Sequence, residues 1–413
     1  MQKKKIIVIG GGPAGLFASL SLSPTYDVTL IEKNNICGKK LLMTGAGKCN
    51  ITQAGKIIDF LDKYGDKSRF VRPALLHFTN QQLLQFFNLY GLGFNTMENG
   101  KIFPDTMQAV SVLDILINVG KNNGVKFLMN TTVEKIVNFE NDRNFKFEII
   151  TNNGKLEADK IIIATGGLSY PVTGSTGDGY KFAKDLGHKI IPTKPALTSV
   201  KIKNYQFSDL SGSTFDNIDY SVYRNNKKIH QFNNRRLLFT HTGLSGPGIF
   251  IPSRYLVKGD LLRINFLGGN PDQLRKELTD MLINSPKKTV KSVLLNLAPL
   301  TKSFIEKILE LADIGSGLLC SELRKDMRNN IITLLIDYPF EIKELGSFNV
   351  AQVTAGGVST LEVSPKNFES RIVSDLYFIG EVLDVDGDTG GYNIQAAMSM
   401  AKLCADQILN QTK

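Results

Sequence analysis

Three glycines and an acid near the start of the chain are spaced for phosphate chemistry. Gly10, Gly12 and Gly15 form a G-x-G-x-x-G pattern, and Glu32 lies twenty residues beyond Gly12. Gly10 allows a tight turn. Gly12 lets the backbone approach a pyrophosphate, and Gly15 lets a following helix lie close to a sheet. With Pro13 and Ala14, these residues would open a helix whose first N–H groups and partial positive charge attract an anion. Glu32 can accept hydrogen bonds from ribose hydroxyls. The set predicts a dinucleotide site, to which Lys33 and Lys40 are added as candidate contacts. Two further glycine-rich elements belong with it: Thr165-Gly166-Gly167, and Gly380-Glu381 near the C-terminus.

The elements that must hold these residues are readable around them. Lys5–Ile9 and Asp27–Ile31 are short apolar runs that read as buried parallel strands, with a helix at Leu16–Leu22 between them. Lys160–Ala164 and Leu376–Gly380 read as two more buried strands, each ending in one of the later glycine elements. Helical spacing appears at Gln81–Tyr90, Met107–Asn122 and Ile394–Leu409, and a short strand at Val125–Met129. Thr132–Phe139 and Phe145–Thr151 read as an antiparallel pair joined by a polar turn at Asn141–Asn144. From Pro192 to about Gly269 the segments are short and β-like. From Pro271 to Pro339 helical spacing returns, broken at Pro286, Pro299 and Gly315-Ser316-Gly317. The expected fold is α/β: a Rossmann-like domain split by a β-barrel-like insert and a small helical subdomain. The expected boundaries are 1–191, 192–269, 270–340 and 341–413.

Other glycine-rich stretches fail their tests. Gly47-Lys48 lacks the upstream glycine of a Walker A loop, because position 42 is Leu, and Cys49 replaces the Ser/Thr. Gly243–Pro247 misses G-x-S-x-G at its last residue. Asp384–Asp388 resembles the start of a calcium loop, but Thr389 and Gln395 stand where Gly and Glu are needed. The four cysteines make no C-x-x-C pair, which excludes a zinc ribbon, a dithiol reductase and a disulfide scaffold. Free thiols fit a reducing cytosol.

The chain has 413 residues, 42% apolar and 21% charged, as in ordinary globular proteins, which excludes disordered, collagen-like and rod-like classes. No segment approaches a membrane span, and the opening Ile6–Ile9 run is too short for a signal peptide. A cytoplasmic protein is expected. The net charge is +10, which favours anionic partners. Between Lys181 and Arg236, eleven basic residues face four acidic ones. Aromatics interleave them: Tyr205, Phe207, Phe215, Tyr220, Tyr223 and Phe232. RNA binding, or a barrel core under a solvated surface, would both account for this composition.

The three-part arrangement resembles the two-dinucleotide-binding-domain flavoproteins, which hold FAD across a split domain. No second strand–G-x-G-x-x-G–helix unit exists for NAD(P)H. Five segments carry a closer resemblance: GKKLLMTGAGKCNIT (38–52), ATGGLSYPVTGSTGDGY (164–180), FTHTGLSGPGI (239–249), AQVTAGGV (351–358) and GEVLDVDGDTGGYNIQAA (380–397). Together they resemble the YhiN/BaiN family of bacterial flavoproteins over nearly the whole chain. Lys48 departs from that pattern, standing where Arg is expected, and Ala46 where Gly is expected.

The resemblance implies a FAD-dependent oxidoreductase with NAD(P)H as transient donor. Family activities include reduction of a uridine in 23S ribosomal RNA to dihydrouridine, reduction of steroid enones and oxidation of aminoacetone. The first is the leading expectation, with ribosomal RNA held by the basic insert. A small-molecule enone reductase or amine oxidase is the alternative, and an RNA-binding protein with structural FAD a second. The resemblance also implies that Gly390, Gly391, Tyr392 and Asn393 open a helix facing the flavin, with Gly356 opposite. Three residues are catalytic candidates. Cys49, its pKa lowered by Lys48, would protonate a substrate carbon, or would simply pack. His241 would be an acid/base or anchor, or a capping residue. Tyr170 would hydrogen-bond substrate, or pack.

Overall fold

The computed structural model describes residues 3–139, 145–297 and 300–411. The turn expected at 141–144 and the break expected at Pro299 lie outside the described residues. The chain forms two compact units: Met1–Pro195 with Ala351–Lys413, and Ala196–Val350.

The first unit is built on a five-stranded parallel sheet. Its order is Leu376–Phe378, Lys160–Ile163, Lys5–Ile9, Asp27–Ile31, Lys126–Leu128. Ile7 lies between Ile161 and Thr29 in register. The KIIVI and KIII runs are buried along the strands, which is why they read as continuous apolar segments rather than alternating ones. All five strands run the same way, so Ile9, Ile31, Ile163 and Phe378 end on one edge. Open α/β sheets bind ligands at that edge. Helices Pro13–Leu22, Ala109–Asn122 and Tyr392–Asn410 pack on this unit's core. The expected antiparallel pair is present as Val133–Asn138 and Phe147–Thr151, and a third strand, Gly154–Ala158, extends it into a meander.

The second unit is a closed six-stranded barrel with helices. Its longest hairpin pairs Thr214–Arg224 with Lys227–Phe239. Asn225 and Asn226 make the turn, both left-handed (φ 49° and 61°), as a two-residue hairpin requires. Phe304, on the helix Lys302–Leu311, sits 4.8 Å from Phe215 and 4.7 Å from Phe266. Barrel and helices therefore share one aromatic core, with no break in packing at the boundary expected at 269/270. The boundary expected at 340/341 falls inside the last barrel strand, Tyr338–Leu345. Phe340 and Ile342 alternate inward there, a strand period that starts beside Pro339 and was obscured by it. No helix among the described residues is long and apolar enough to cross a membrane.

Candidate active site

The glycine turn sits at the ligand edge of the parallel sheet. Gly10 has φ +109°, and a β-carbon there would lie 2.5 Å from the Ala164 carbonyl oxygen. A β-carbon on Gly15 would fall inside the Gly10 carbonyl. Gly12 is different. It is the N-cap of the Pro13–Leu22 helix, with extended backbone (φ −77°, ψ 179°), and nothing lies within 4 Å of where its β-carbon would be. No side chain caps this helix and no acid occupies its first turn. Its first N–H groups and its positive end face open space, which suits a phosphate. Gly380 (φ +75°) brings the Leu376–Phe378 strand's exit to the same place, its β-carbon position 3.1 Å from Ala14 Cβ.

Glu32 ends the second strand, 8% exposed. Its Oε2 accepts the Gly11 N–H at 2.8 Å, and its Oε1 accepts the Asn34 N–H (2.8 Å) and amide (2.7 Å). Three of a carboxylate's roughly four acceptor positions are thus taken by the protein, leaving Oε2 room for one hydroxyl. The two lysines do not point freely into this site. Lys33 bonds Thr176 and pairs with Asp178 at 2.6 Å. Lys40 pairs with Glu381 at 2.7 Å.

That pair begins a relay joining distant segments. Glu381 Oε1 accepts the Thr354 N–H at 2.8 Å. Thr354 Oγ1 in turn accepts the N–H groups of Leu168 (2.8 Å) and Ser169 (3.1 Å). Lys40, Glu381 and Thr354 therefore fix the loop that follows Gly166 and Gly167. Gly356 (φ +88°) packs against the Pro192 carbonyl, where a side chain could not fit. Among the described residues, Thr165 Oγ1 and Gln53 Oε1 are buried without a hydrogen-bond partner. The Thr165 backbone adjoins the Gly10 turn while its hydroxyl faces Gly179, and Gln53 Oε1 lies 3.4 Å from where a Gly390 β-carbon would be. Such orphaned acceptors in a glycine-lined site fit a polar ligand.

The C-terminal helix starts as expected from its glycines but uses its first side chains differently. Gly391 (φ +89°) is the N-cap, with no side-chain cap. Its β-carbon position is 2.6 Å from Thr52 Cα. Tyr392 packs edge-on to Phe60, and its carbonyl accepts the Tyr64 hydroxyl at 2.8 Å. Asn393 ties down its own approach loop: it accepts the Gly387 N–H at 2.7 Å and donates to the Gly387 carbonyl at 2.9 Å. The Tyr392 ring and the Asn393 amide both shape the loop.

The catalytic candidates separate clearly. Cys49 has no exposed surface. Burial pushes its thiol up to about 12, while a Thr44 hydrogen bond opposes that. Lys48 is exposed and is not among the groups that act on the thiol, so the expected lowering by Lys48 is absent. A proton donor must touch its substrate, and Cys49 is sealed beneath its own loop. Tyr170 is half-buried, left-handed (φ 53°), and its hydroxyl makes no hydrogen bond among the described residues. His241 belongs to the second unit, exposed in the turn between Lys227–Phe239 and Gly243–Ser245.

The basic insert also sorts itself. Lys201 pairs with Glu344 (2.6 Å), Lys203 with Glu341 (2.9 Å), Arg224 with Asp260 (2.8 Å) and Arg236 with Asp216 (3.3 Å). Phe207, Phe215 and Tyr220 are buried in the barrel. Much of the expected RNA-binding composition is therefore barrel core and internal ion pairing. Lys227 and Lys228 remain exposed at the hairpin tip. Sequence reasoning missed Tyr180, whose buried hydroxyl lacks a partner and is pushed well up by burial, then by Glu381 and Asp384. It also missed Gln395, a fully buried amide bonded to Thr52 at 2.7 Å. A glutamine among small residues in an apolar helix was the available signal.

A Rossmann sheet, an open helix N-terminus over Gly12 and converging glycine turns define a dinucleotide-binding protein. The chain belongs to the HI0933-like family: the family's Rossmann-domain model matches residues 4–407. It is 31% identical over 411 residues to the "Ribosomal RNA dihydrouridine synthase" of Haemophilus influenzae, covering 99% of this chain and 100% of that one. It is 32% identical over 410 residues to the "3-dehydro-bile acid delta(4,6)-reductase" of Clostridium scindens, covering 97% of each. In fold it is similar to the 3-ketosteroid delta1-dehydrogenase of Sterolibacterium denitrificans, with TM-score 0.54, 11% identity and full coverage of both chains. The family, with the three-part glycine arrangement, supports FAD as the dinucleotide.

Proposed function

We propose that this protein is a FAD-dependent, NAD(P)H-driven reductase of a carbon–carbon double bond, and that its substrate is a uridine of 23S ribosomal RNA. The observation that carries the cofactor half is the open space over Gly12 at an uncapped helix N-terminus, ringed by the exits of four parallel strands. The substrate half is supported by the full-length similarity to a relative named for ribosomal RNA dihydrouridine synthesis.

In this reading the Gly10–Gly15 turn and the helix N-terminus hold the pyrophosphate. Glu32 takes one ribose hydroxyl through Oε2. The Lys40–Glu381–Thr354 relay keeps the Gly166–Tyr170 loop in place. Bound there in its reduced form, FAD would supply hydride chemistry for the alkene, with NAD(P)H as the reductant. The C5=C6 π bond breaks and a proton must reach C5, so two C–H bonds form while NAD(P)H is oxidised. Tyr170 carries a polar atom not already engaged, and we assign it to hydrogen-bond substrate and deliver that proton. Backbone N–H groups at Gly391 and beyond offset negative charge at their helix terminus.

One observation favours a second reading. The bile-acid reductase relative is as similar as the RNA enzyme, and a steroid enone is also an activated alkene. An anaerobic competition decides between them. Protein charged with NAD(P)H is offered ribosomal RNA lacking dihydrouridine, or a steroid 4-en-3-one, and flavin absorbance is followed. Bleached flavin that recovers its yellow colour with RNA alone supports the proposal. Recovery with the enone alone overturns the RNA half.

A further inference from the structure

The barrel's long hairpin carries a ring ladder that starts in the core and runs out to the surface. Phe232 pairs across the strands with Tyr220, and His230 with Val222, so their side chains share one face. The rings follow each other at shallow angles: Tyr220 to Phe232 at 5.2 Å and 31°, Phe232 to His230 at 6.0 Å and 35°, His230 to Tyr255 at 5.2 Å and 39°. Many pairs in the barrel core are steeper, such as Phe207–Tyr338 at 73°.

The ladder is anchored at one end and open at the other. Tyr220 is buried, and its hydroxyl bonds the Gly248 carbonyl. His230 is exposed and Tyr255 is 39% exposed. The loop holding Tyr255 is fixed to the hairpin, because Arg224 donates to the Tyr255 carbonyl at 2.8 Å while paired with Asp260. Phe232 packs on the barrel core beneath them, and the Arg254 guanidinium lies 5.7 Å from the Tyr255 ring, so the surface left to a ligand is the solvent side of His230 and Tyr255.

The charges around the ladder fit a polyanion. The Arg235 guanidinium lies 5.7 Å from the Phe232 ring, and its Nε is buried with no acceptor among the described residues. Lys227 and Lys228 are exposed at the tip, Lys228 bonded only to the neutral Gln231. The nearby acids are engaged: Asp216 with Arg236, Asp260 with Arg224, and Asp219 with the N–H groups of Asn234 and Gly269. Lys227, Lys228 and Arg235 are left as surplus positive charge.

We infer that Tyr255 and His230, supported from below by Phe232, form a stacking platform for unpaired bases of single-stranded RNA, with Lys227, Lys228 and Arg235 taking its phosphates. Unpaired bases stack on aromatic faces whatever their sequence, and cations track the backbone beside them. This rests on the ribosomal RNA reading above and adds where that RNA is gripped.

The test uses the full-length protein and a labelled oligouridylate of about a dozen nucleotides, a length within the usual single-strand site range. The double variant His230→Leu/Tyr255→Leu removes ring faces and keeps bulk. It should bind about 10-fold or more weakly, within the range for losing base stacking. Its salt dependence should match the unaltered protein, since no cation is lost. His230→Tyr/Tyr255→Phe should bind like the unaltered protein. Lys227→Glu/Lys228→Glu should both weaken binding and flatten the salt slope. Circular dichroism and flavin retention confirm that each variant is folded. If the leucine variant binds as tightly as the unaltered protein, the platform is refuted. Dihydrouridine formation by the unaltered protein is scored separately: if it persists, the RNA reading survives that failure. If the unaltered protein neither binds the oligonucleotide nor forms dihydrouridine, both fall.

Discussion

Gly12 and Gly15 lie three residues apart but are opposite in what they tolerate. A side chain at Gly12 meets no protein atom within 4 Å, whereas one at Gly15 runs into the Gly10 carbonyl. Gly12→Val should therefore fold normally and purify colourless, its side chain standing where the pyrophosphate must lie. Gly15→Ala should instead be unstable or insoluble. Melting temperature and flavin absorbance separate the two outcomes; a yellow, stoichiometric Gly12→Val would remove the phosphate assignment. Cys49 supports a second prediction. With its thiol pushed up to about 12, the thiolate fraction at pH 8 is roughly one in ten thousand. Alkylating reagents should leave native Cys49 untouched at that pH and label it once the chain is unfolded. Cys49→Ala should keep its reductase rate within a few-fold, against the ~10²-fold loss expected if this residue donated a proton. A loss of that size would restore Cys49 as the acid.

At the scale of elements, Gly10 and Gly15 were legible because a close approach forces each of them, and Gly12 because a ligand needs the open space beside it. Strands were legible where both faces are buried, as in KIIVI and KIII. The partners of the polar side chains were not legible, because they are brought together by the fold rather than by the local chain. Lys40 meets Glu381 across 341 residues, and no spacing rule reaches that far. Asn225-Asn226 was a missed signal: two residues that tolerate left-handed backbone, between β-rich runs, announce a hairpin. Thr354 shows what such long-range contacts hold. Fully buried, it accepts two backbone N–H groups from the Leu168–Ser169 loop and lies 3.1 Å from the Ser169 hydroxyl. Thr354→Val keeps the shape and strands those donors, which should destabilise the protein by about 2–4 kcal/mol. Urea unfolding would measure it, and FAD should dissociate more readily. A change below about 0.5 kcal/mol, within the usual range of surface substitutions, would show that the relay does not hold the loop.

At the scale of the whole molecule, the net charge of +10 pointed toward an anionic partner, yet four of the barrel's cations are spent on its own carboxylates. Composition could not reveal this, since pairing depends on which strands become neighbours in a closed barrel. What remains is a short cationic hairpin tip beside exposed rings, and a separate unit with a dinucleotide edge. The account joins these as one activity, FAD-dependent reduction of a ribosomal uridine. The most direct measurement is mass spectrometry of 23S ribosomal RNA from cells lacking this protein, carrying either the unaltered gene or Gly12→Val. The account predicts that one uridine loses its two added hydrogens in the deletion strain, regains them with the unaltered gene and does not regain them with Gly12→Val. An unchanged dihydrouridine content in the deletion strain would contradict it.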